Sequence, residues 1–310
     1  MPLKDRWQTL RGNTNTSMEA SLSQSDISEL LRGISIPSQP QIMADLQLAQ
    51  AFDPPDLREI GQLISRDISI AGSVIKVANS PFYALPKPVT HIEQAIMILG
   101  NNAVLNIVNG VALRQELVDM GRLDDDDVVF LNAFWDSAED TARVAQLISQ
   151  QLQMEDPEEM YLLGLFHNGG IPLMVQHFKD YRQVLQQAYA QEQDTLTETE
   201  DQHYNTNHAV LGYYLARSWK MPLTVCDAIT EHHSLPRLLS ANPRAGGQMV
   251  NMLAILKLAE HLVGLYRILG NQQIDNEWQA LEAPVCEYLN LSQEEINDIT
   301  ALCEEHGIGL

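Results

Sequence analysis

Apolar residues recur every three or four positions along most of the chain, which is the period of an amphipathic α-helix. Ile42, Leu46, Leu48 and Ala49 have this spacing, and residues 57–64 repeat it after a break at two consecutive prolines. Strict alternation of apolar and polar residues, the pattern of a half-buried β-strand, is hard to find. The sequence therefore predicts an all-α fold.

The same period predicts helices in both halves of the chain. They cover residues 70–78, 92–99, 103–117, 130–151, 157–167, 172–191, 208–219, 222–233 and 247–269. Two helix starts carry explicit signals: Asp156 precedes a proline at the first helical position, and Ser292 forms a capping box with Glu295 ahead of the final helix. Gly169 and Gly170 are interpreted as the cap that ends the helix before them.

A run of four aspartates, residues 124–127, suggests a boundary between two packed helical units. Four like charges are expected to repel one another within one helical turn, so residues 121–129 are predicted to be an acidic linker. The linker separates an N-terminal helical unit, 26–120, from a second helical unit, 130–310. Residues 1–25 are polar, with almost no apolar periodicity, and are predicted to be a flexible leader.

The charge balance excludes some classes of partner. The chain has 19 Lys plus Arg and 41 Asp plus Glu, which gives a formal net charge of −22. Nucleic acids and anionic membrane surfaces are bound through positive charge, so neither is expected as a partner. Hydrophobic residues make up 45 % and charged residues 19 % of the chain, a composition that can bury a sizeable core.

The location of the protein is inferred from what the sequence lacks. Cys226, Cys286 and Cys303 are widely spaced and suggest neither a disulfide framework nor a C-x-x-C metal motif. The leader has no apolar core of a signal peptide, and no later stretch is apolar enough to span a membrane. These observations predict a cytoplasmic protein.

Four histidines are the strongest candidates for chemistry. His167 lies at the end of a predicted helix, His208 begins another, and His232 and His233 end a third. Helix ends can cluster on one face of a bundle, and imidazole is a good ligand for transition metals. The alternative is that each histidine is a hydrogen-bonded structural residue, and spacing alone leaves both interpretations open.

The chain resembles the HDOD family, whose name stands for HD-related output domain. The resemblance covers about residues 28–305. In the second half it rests on Phe134-Trp135, Gly164 to Gly170, Glu200 eight residues before the segment His208 to Gly212, Trp219 with Pro222, and Ala228-Ile229 ahead of His232-His233. In the first half it rests on Ile36-Pro37, Ile64 to Asp67, Ala78-Asn79-Ser80 followed by Phe82-Tyr83, and Ala95-Ile96 with Leu99-Gly100.

This resemblance implies an all-helical relative of the HD-superfamily metal phosphohydrolases, with the second unit as the HD-like one. The parent enzymes bind metal through a His, a His-Asp pair and a later Asp. Here Ser137 stands in the first position, His167 and Asn168 form the pair, and Glu260 stands in the last. A hydroxyl and a neutral amide are poor substitutes for an imidazole and a carboxylate. The resemblance therefore implies a degenerate metal site and no required cofactor.

A residual divalent metal stays open. Glu260 is one methylene longer than Asp and can still reach an ion. His208, His232 and His233 match extra ligands of the cyclic-dinucleotide phosphodiesterase branch, so the resemblance gives His167, His208, His232, His233 and Glu260 as the residual ligand set.

Three functions are compatible with this sequence. The preferred hypothesis is a non-catalytic regulatory module that binds a protein partner, in particular a bacterial signal-transduction component. The alternative is a divergent metal-dependent phosphohydrolase or phosphodiesterase acting on a nucleotide. A third hypothesis keeps the pocket without the reaction, as a sensor of a nucleotide or another small ligand. The acidic balance favours a basic patch on a protein partner.

Overall fold

A computed structural model describes residues 31–50, 56–80, 83, 85–118, 123–191, 195–241 and 247–308. The described residues are 75 % helical and contain no strand. The all-α prediction is confirmed. The predicted leader, residues 1–25, lies outside the described residues.

The N-terminal unit, as the structure describes it, consists of five helices that pack against one another. They are α1 (Gln41–Gln50), α2 (Leu57–Ile64), α3 (Ile68–Ala78), α4 (Ile92–Leu99) and α5 (Asn101–Val118). Aspartates cap two of them: Asp56 accepts the N–H of Arg58 (2.9 Å), and Asp67 accepts that of Ser69 (2.8 Å). Helix α3 packs on α4 and α5, and α1 packs on α2 and α5.

The C-terminal unit is built around one long helix, α6 (Asp125–Leu152), of 28 residues. It continues with α7 (Pro157–Phe166), α8 (Ile171–His177), α9 (Tyr181–Ala190), α10 (Leu196–Tyr204), α11 (His208–Ser218), α12 (Leu223–Glu231), α13 (Leu235–Ala241), α14 (Gln248–Val263), α15 (Leu265–Ile268), α16 (Asn276–Leu289) and α17 (Gln293–Glu305). Helix α6 packs against α7, α14 and α17. The predicted start signals of α7 and α17 are confirmed, with Asp156 and Ser292 as N-caps.

Close packing of α6 on α7 depends on a glycine. A Cβ atom added at Gly164 would lie 2.6 Å from the Cα of Ala142, a distance that no side chain tolerates. The two helices therefore approach each other backbone to backbone. This contact fixes α7, which ends at the first candidate histidine, against the long helix.

The acidic linker predicted at 121–129 is wrong for residues 125–129, which form the start of α6. Asp124 is the N-cap and accepts the N–H of Asp127 (2.8 Å), while Asp127 accepts the N–H of Asp124 (3.4 Å). Unpaired N–H groups make a helix N-terminus positive, so carboxylates are stabilised there. Arg182 adds a cation, its Nε lying 2.8 Å from Asp127 Oδ1. These interactions offset the repulsion on which the linker prediction depended.

Two predicted helices are each divided in two. The helix predicted at 172–191 is interrupted between α8 and α9, where Phe178 has an extended backbone with φ −119° and ψ 112°. The helix predicted at 247–269 is interrupted at Gly264, which has a left-handed φ of 77°. Apolar periodicity continues through both breaks, so it could not reveal them.

Side chains and backbone groups join the two units. The indole N–H of Trp219 donates to the carbonyl of Pro37 (3.2 Å), and the amide of Gln176 donates to the carbonyl of Leu117 (2.8 Å). Helix α5 also packs against α7. Buried apolar side chains from both units form one contiguous core.

None of the described helices is by itself both long and apolar enough to cross a membrane. Two consecutive helical segments, Ile92–Leu99 and Asn101–Leu117, reach the required length and composition together, with a bend of 113° between them.

Candidate functional site

His167 is the C-cap of α7. Its N–H donates to the carbonyl of Leu163 (2.8 Å), and its ring Nδ1 lies 2.8 Å from the carbonyl of Gly164. A carbonyl can only accept, so Nδ1 carries the hydrogen and Nε2 carries the lone pair. The side chain is 1 % exposed, which places this bare Nε2 inside the protein.

His208 is the first residue of α11. Asn207 caps this helix by accepting the N–H of Val210 (2.9 Å). The start of α11 lies directly against the start of α8, because a Cβ atom at Gly170 would fall 2.0 Å from the carbonyl oxygen of His208. The φ of Gly170 is −77°, so glycine is required here by this close approach and not by a left-handed cap.

His232 and His233 directly follow α12. His232 is the C-cap of that helix, and its Nδ1 lies 2.7 Å from the carbonyl of Ile229. His233 directs its Nδ1 to Glu277 Oε1, on α16, at 3.4 Å. The last turn of α12 and the start of α16 therefore orient these two rings.

The rings of His208, His232 and His233, called the histidine trio below, converge. His208 Nε2 lies 3.2 Å from His232 Nε2 and 3.3 Å from His233 Nε2. His167 lies beside them, its ring centroid 5.4 Å from that of His232. The structure thus brings together all four histidines that the sequence singled out.

The hydrogen positions in the trio follow from its acceptors. Each Nδ1 faces an oxygen that accepts, so each Nδ1 donates and a neutral ring has a bare Nε2. Three bare nitrogens facing one another have no hydrogen to share. The 3.2 Å and 3.3 Å contacts therefore become hydrogen bonds only when one ring carries a second proton, or when a cation joins the nitrogens. His208 has a buried carboxylate as the partner of its Nδ1.

That carboxylate belongs to Glu200, on α10. Its Oε2 accepts from both Nδ1 (2.7 Å) and the backbone N–H (3.0 Å) of His208, and its Oε1 accepts from the hydroxyl of Tyr181. Both side chains of the His208–Glu200 pair are 0 % exposed. Glu200 holds His208 in one orientation and supplies a negative charge next to the trio.

A second charged group borders the histidines. Lys257, on α14, is 3 % exposed, and its Nζ lies 2.8 Å from Glu260 Oε2 and 3.0 Å from Glu277 Oε1. These three residues are called the lysine–carboxylate group below. A buried ammonium is stable only when it is paired, and here it has two carboxylates. The group carries its own cation.

His167 and Glu260 connect the two sets of residues. His167 Nε2 lies 3.4 Å from Glu260 Oε1, and both atoms are buried without a hydrogen-bond partner among the described residues. A bare imidazole nitrogen and an ionised carboxylate oxygen are both acceptors, so a proton or a cation is needed between them. This contact therefore lacks the proton or cation that would join the two residues.

Burial and neighbouring charge set the protonation of the site. Burial lowers the pKa of His167 to about 3 and holds the pKa values of His232 and His233 well below 6.5, with further lowering by nearby imidazoles and by Lys257. Burial raises the pKa of Glu260 to about 7, although the Lys257 ammonium opposes this shift. Near neutral pH these three imidazoles are uncharged.

Ser137 and Asn168 stand where the HD pattern has an imidazole and a carboxylate. Ser137, buried on α6, donates its hydroxyl to the carbonyl of Phe134 in the same helix (2.8 Å). Asn168 is buried in the turn after His167, and its backbone carbonyl accepts the N–H of Ile171 (2.9 Å). Neither residue brings a negative charge to the site.

The imidazoles of the histidine trio fit a transition metal, whereas the side chains at the HD positions do not. The ligand atoms of His208, His232 and His233 all lie within 4.8 Å of one another, and imidazoles with a carboxylate behind one of them are typical of zinc sites. At the HD positions, a hydroxyl, a neutral amide and a carboxylate already neutralised by Lys257 do not make a divalent site. The trio can hold a proton or one metal ion.

The sequence did not single out Lys257, Glu277 or Tyr181 as site residues. Glu200 was part of the resemblance, eight residues before His208, but was given no role. Lys257 could have been found from its position three residues before Glu260, on one face of a helix. Glu277 lies on a different helix, and only the packing of α16 on α14 brings it to the site.

The chain belongs to the HDOD domain family, whose sequence profile matches residues 36–235. The matched range begins before α1 and ends at α13, so it contains His167, Glu200 and the histidine trio. Lys257, Glu260 and Glu277 lie beyond it.

The chain is similar to known proteins in sequence or in fold. An uncharacterized protein of Treponema pallidum (strain Nichols) is 22 % identical over 264 residues, 80 % of this chain and 49 % of that protein, so the chain spans about half the length of this relative. The fold is similar to that of a Shewanella amazonensis SB2B protein provisionally named a metal-dependent phosphohydrolase, with TM-score 0.65, 19 % identity and 98 % of each chain covered. It is also similar to a Marinobacter aquaeolei VT8 protein provisionally named a signal transduction protein, with TM-score 0.62, 19 % identity, 98 % of this chain and 64 % of that one covered.

Proposed function

We propose that this chain is a non-catalytic regulatory module of bacterial signal transduction, which acts by binding a protein partner. Membership of the HDOD family and the provisional name of the Marinobacter protein support this class of function. Ser137 and Asn168 in ligand positions support the absence of hydrolysis. The site is then a buried structural element that shapes the binding surfaces.

One observation carries this proposal: the ammonium of Lys257 already neutralises Glu260. Its Nζ lies 2.8 Å from Glu260 Oε2, inside the protein, where charges interact strongly. A divalent ion bound by Glu260 would meet a positive charge a few ångströms away. The chain thus supplies in covalent form the charge that the parent enzymes obtain from a metal.

The first experiment measures metal and hydrolysis together. Protein purified without chelator is analysed for Mn, Fe and Zn, and is assayed with nucleotides and cyclic dinucleotides. We expect no stoichiometric metal and no turnover. About one or two metal ions per chain, with turnover that His167→Ala abolishes, contradicts the proposal.

The partner requires its own test. The acidic chain, with net charge −22, is expected to associate faster with a basic surface at low salt. Tagged protein is recovered from its own cells, and each co-purified protein is made separately and titrated at two ionic strengths. A signalling protein that binds directly, with an association rate that falls as salt rises, supports the proposal. Failure of every co-purified protein to bind directly contradicts it.

The second candidate function is a divergent metal-dependent phosphohydrolase or phosphodiesterase acting on a nucleotide. The convergence of the histidine trio favours it, as does the unpartnered contact between His167 and Glu260. His208, His232 and His233 would hold the ion, and Glu200 would orient His208. A bound divalent ion supplies a Lewis acid and an activated water in such enzymes.

Cobalt titration separates the two candidates without relying on activity. Visible absorption reports Co²⁺ bound by imidazoles, and His208→Gln is compared with His203→Gln, which changes a histidine bonded to its own helix through the carbonyl of Thr199. Saturable binding that His208→Gln abolishes and His203→Gln preserves favours the enzyme. Equal behaviour of the two variants removes its structural basis.

A further inference from the structure

A cleft lies between the two units, apart from the histidines. Helices α3 and α5 form one wall, and α6 and α7 form the other. Its volume is about 510 Å³, within the range of small-molecule sites. Because both units line it, a molecule bound there would touch both.

The cleft contains a polar group that lacks a partner. Trp135, on the α6 wall, is 5 % exposed, and its indole Nε1 is buried without a hydrogen-bond partner among the described residues. A buried indole N–H usually finds an acceptor, because leaving it unpaired is costly. An acceptor atom of a bound molecule that reaches this N–H would meet this demand.

The other lining groups indicate what kind of molecule carries that acceptor. Trp135, Tyr161, Ile107 and Leu165 line the cleft with aromatic and aliphatic side chains. Lys76, on the opposite wall, is exposed and forms no ion pair with any described residue.

The acidic side chains of the cleft already have cations near them. Glu139 is paired with Arg143, and Asp136 lies 3.8 Å from Arg114. A negatively charged group on a ligand would therefore pair with the ammonium of Lys76.

We propose that this cleft binds a small organic anion with a planar aromatic body, its ring against Trp135 and Tyr161 and its negative group toward Lys76. The inference rests on the cleft alone and not on the function proposed above. It adds a ligand site that lies at the junction of the two units.

Gly110 provides a way to close the cleft without disturbing the fold. It lies on α5 among the lining residues, and a Cβ atom there would meet only the side chain of Leu165, at 3.4 Å. Alanine at this position is expected to be tolerated, since glycine is unfavourable within a helix. Leucine has the same backbone preference, but the rest of its side chain extends into the cleft.

The experiment titrates ¹⁵N-labelled protein with two probes of this class, 8-anilinonaphthalene-1-sulfonate and adenosine monophosphate. The indole N–H resonance of Trp135, assigned by its loss in Trp135→Phe, should shift saturably with at least one probe. Gly110→Leu should weaken binding at least about tenfold, while Gly110→Ala should bind as the wild type does. Lys76→Gln should weaken binding about threefold, since the lysine is exposed.

The proposal is overturned if neither probe moves the Trp135 resonance at millimolar concentration, or if Gly110→Leu binds as tightly as Gly110→Ala. Circular dichroism melts of both Gly110 variants confirm that they are folded. Because Trp135→Phe serves only for assignment, its failure to fold leaves the comparison of the two Gly110 variants decisive.

Discussion

In the histidine trio, three bare nitrogens face one another, and no positive charge from the described residues lies between them. In the lysine–carboxylate group, the ammonium of Lys257 supplies a positive charge as part of the chain. The two sets are neighbours, and both are largely buried. In the trio, a proton or an ion must come from outside. In the lysine–carboxylate group the ammonium is built into the chain, and it is Glu260, with its pKa raised to about 7, that responds to pH. The chain therefore supplies a cation covalently on one side of the site and leaves the other side to take one from solution.

The largest effect is expected from Lys257→Met, which removes the internal cation. Methionine fills similar space, but it leaves Glu260 and Glu277 without their buried partner. Breaking a buried ion pair on one side typically costs ~3–5 kcal/mol in free energy of unfolding. Urea denaturation measures this loss.

Adding Glu260→Gln to Lys257→Met should restore part of the stability, because it removes one of the unpaired charges. A loss below about 1 kcal/mol for Lys257→Met alone would show that the ammonium is not a structural cation, and the contrast between the two sets would not hold.

The next effect concerns the backbone contact that places the trio. Gly170→Ala puts a methyl group where the carbonyl oxygen of His208 lies 2.0 Å from the ideal Cβ position. Overpacking costs ~1–3 kcal/mol or more, so the melting temperature should fall by several degrees. Gly72→Ala is the control, since it has no atom within 4 Å of the added Cβ. Equal melting temperatures for the two variants contradict the assigned role of Gly170.

The pH dependence of stability tests the trio directly, with chelator-treated protein. Burial holds the pKa of His232 well below 6.5 in the folded chain. Below pH 6.5, His232 therefore binds a proton in the unfolded chain but stays neutral in the folded chain. Acid therefore favours unfolding. Between about pH 6.5 and 4.5 the wild type should lose up to ~1.4 kcal/mol per pH unit more than His232→Gln.

The raised pKa of Glu260, about 7, acts with the opposite sign, because its folded form binds a proton that the unfolded form has released. It is present in both proteins and largely cancels in their difference. Urea midpoints of wild type and His232→Gln at pH 7, 6 and 5 give that difference. Parallel curves mean that His232 titrates alike in the folded and unfolded chains, which contradicts the coupled cluster.

The smallest effect should come from a half-buried ion pair near the surface, as a reference for the fully buried one. Arg182→Gln removes the contact with Asp127 at the start of α6, where Arg182 is 32 % exposed. Exposed pairs contribute ~0.2–1 kcal/mol and are weakened by salt. Denaturation in 0.05 M and 0.5 M NaCl should therefore show a loss that shrinks at high salt. A loss as large as that of Lys257→Met would remove the distinction between exposed and buried charge.

The sequence predicted the helical class, because helix periods are local signals. For the four histidines at helix ends, the sequence left convergence and separate structural roles both open. It could not predict the lysine–carboxylate group, since Glu277 reaches Lys257 only through the packing of two helices. The linker prediction was wrong at residues 125–129 for a related reason. The self-repulsion of the acidic run is visible in the sequence, but the helix N-terminus and Arg182, which offset it, are features of the folded chain.

The long helix α6 connects the cleft with the HD-site positions. Trp135 lines the cleft, and Ser137, two residues later, stands where the HD pattern has its first histidine. Residues two apart on a helix point ~200° away from each other. A rigid rod of ~42 Å therefore carries a cleft group on one side and an HD-site position on the other. If a molecule in the cleft changes the proton affinity of the histidines, thermodynamic reciprocity requires that protonation change the affinity of the cleft by the same factor.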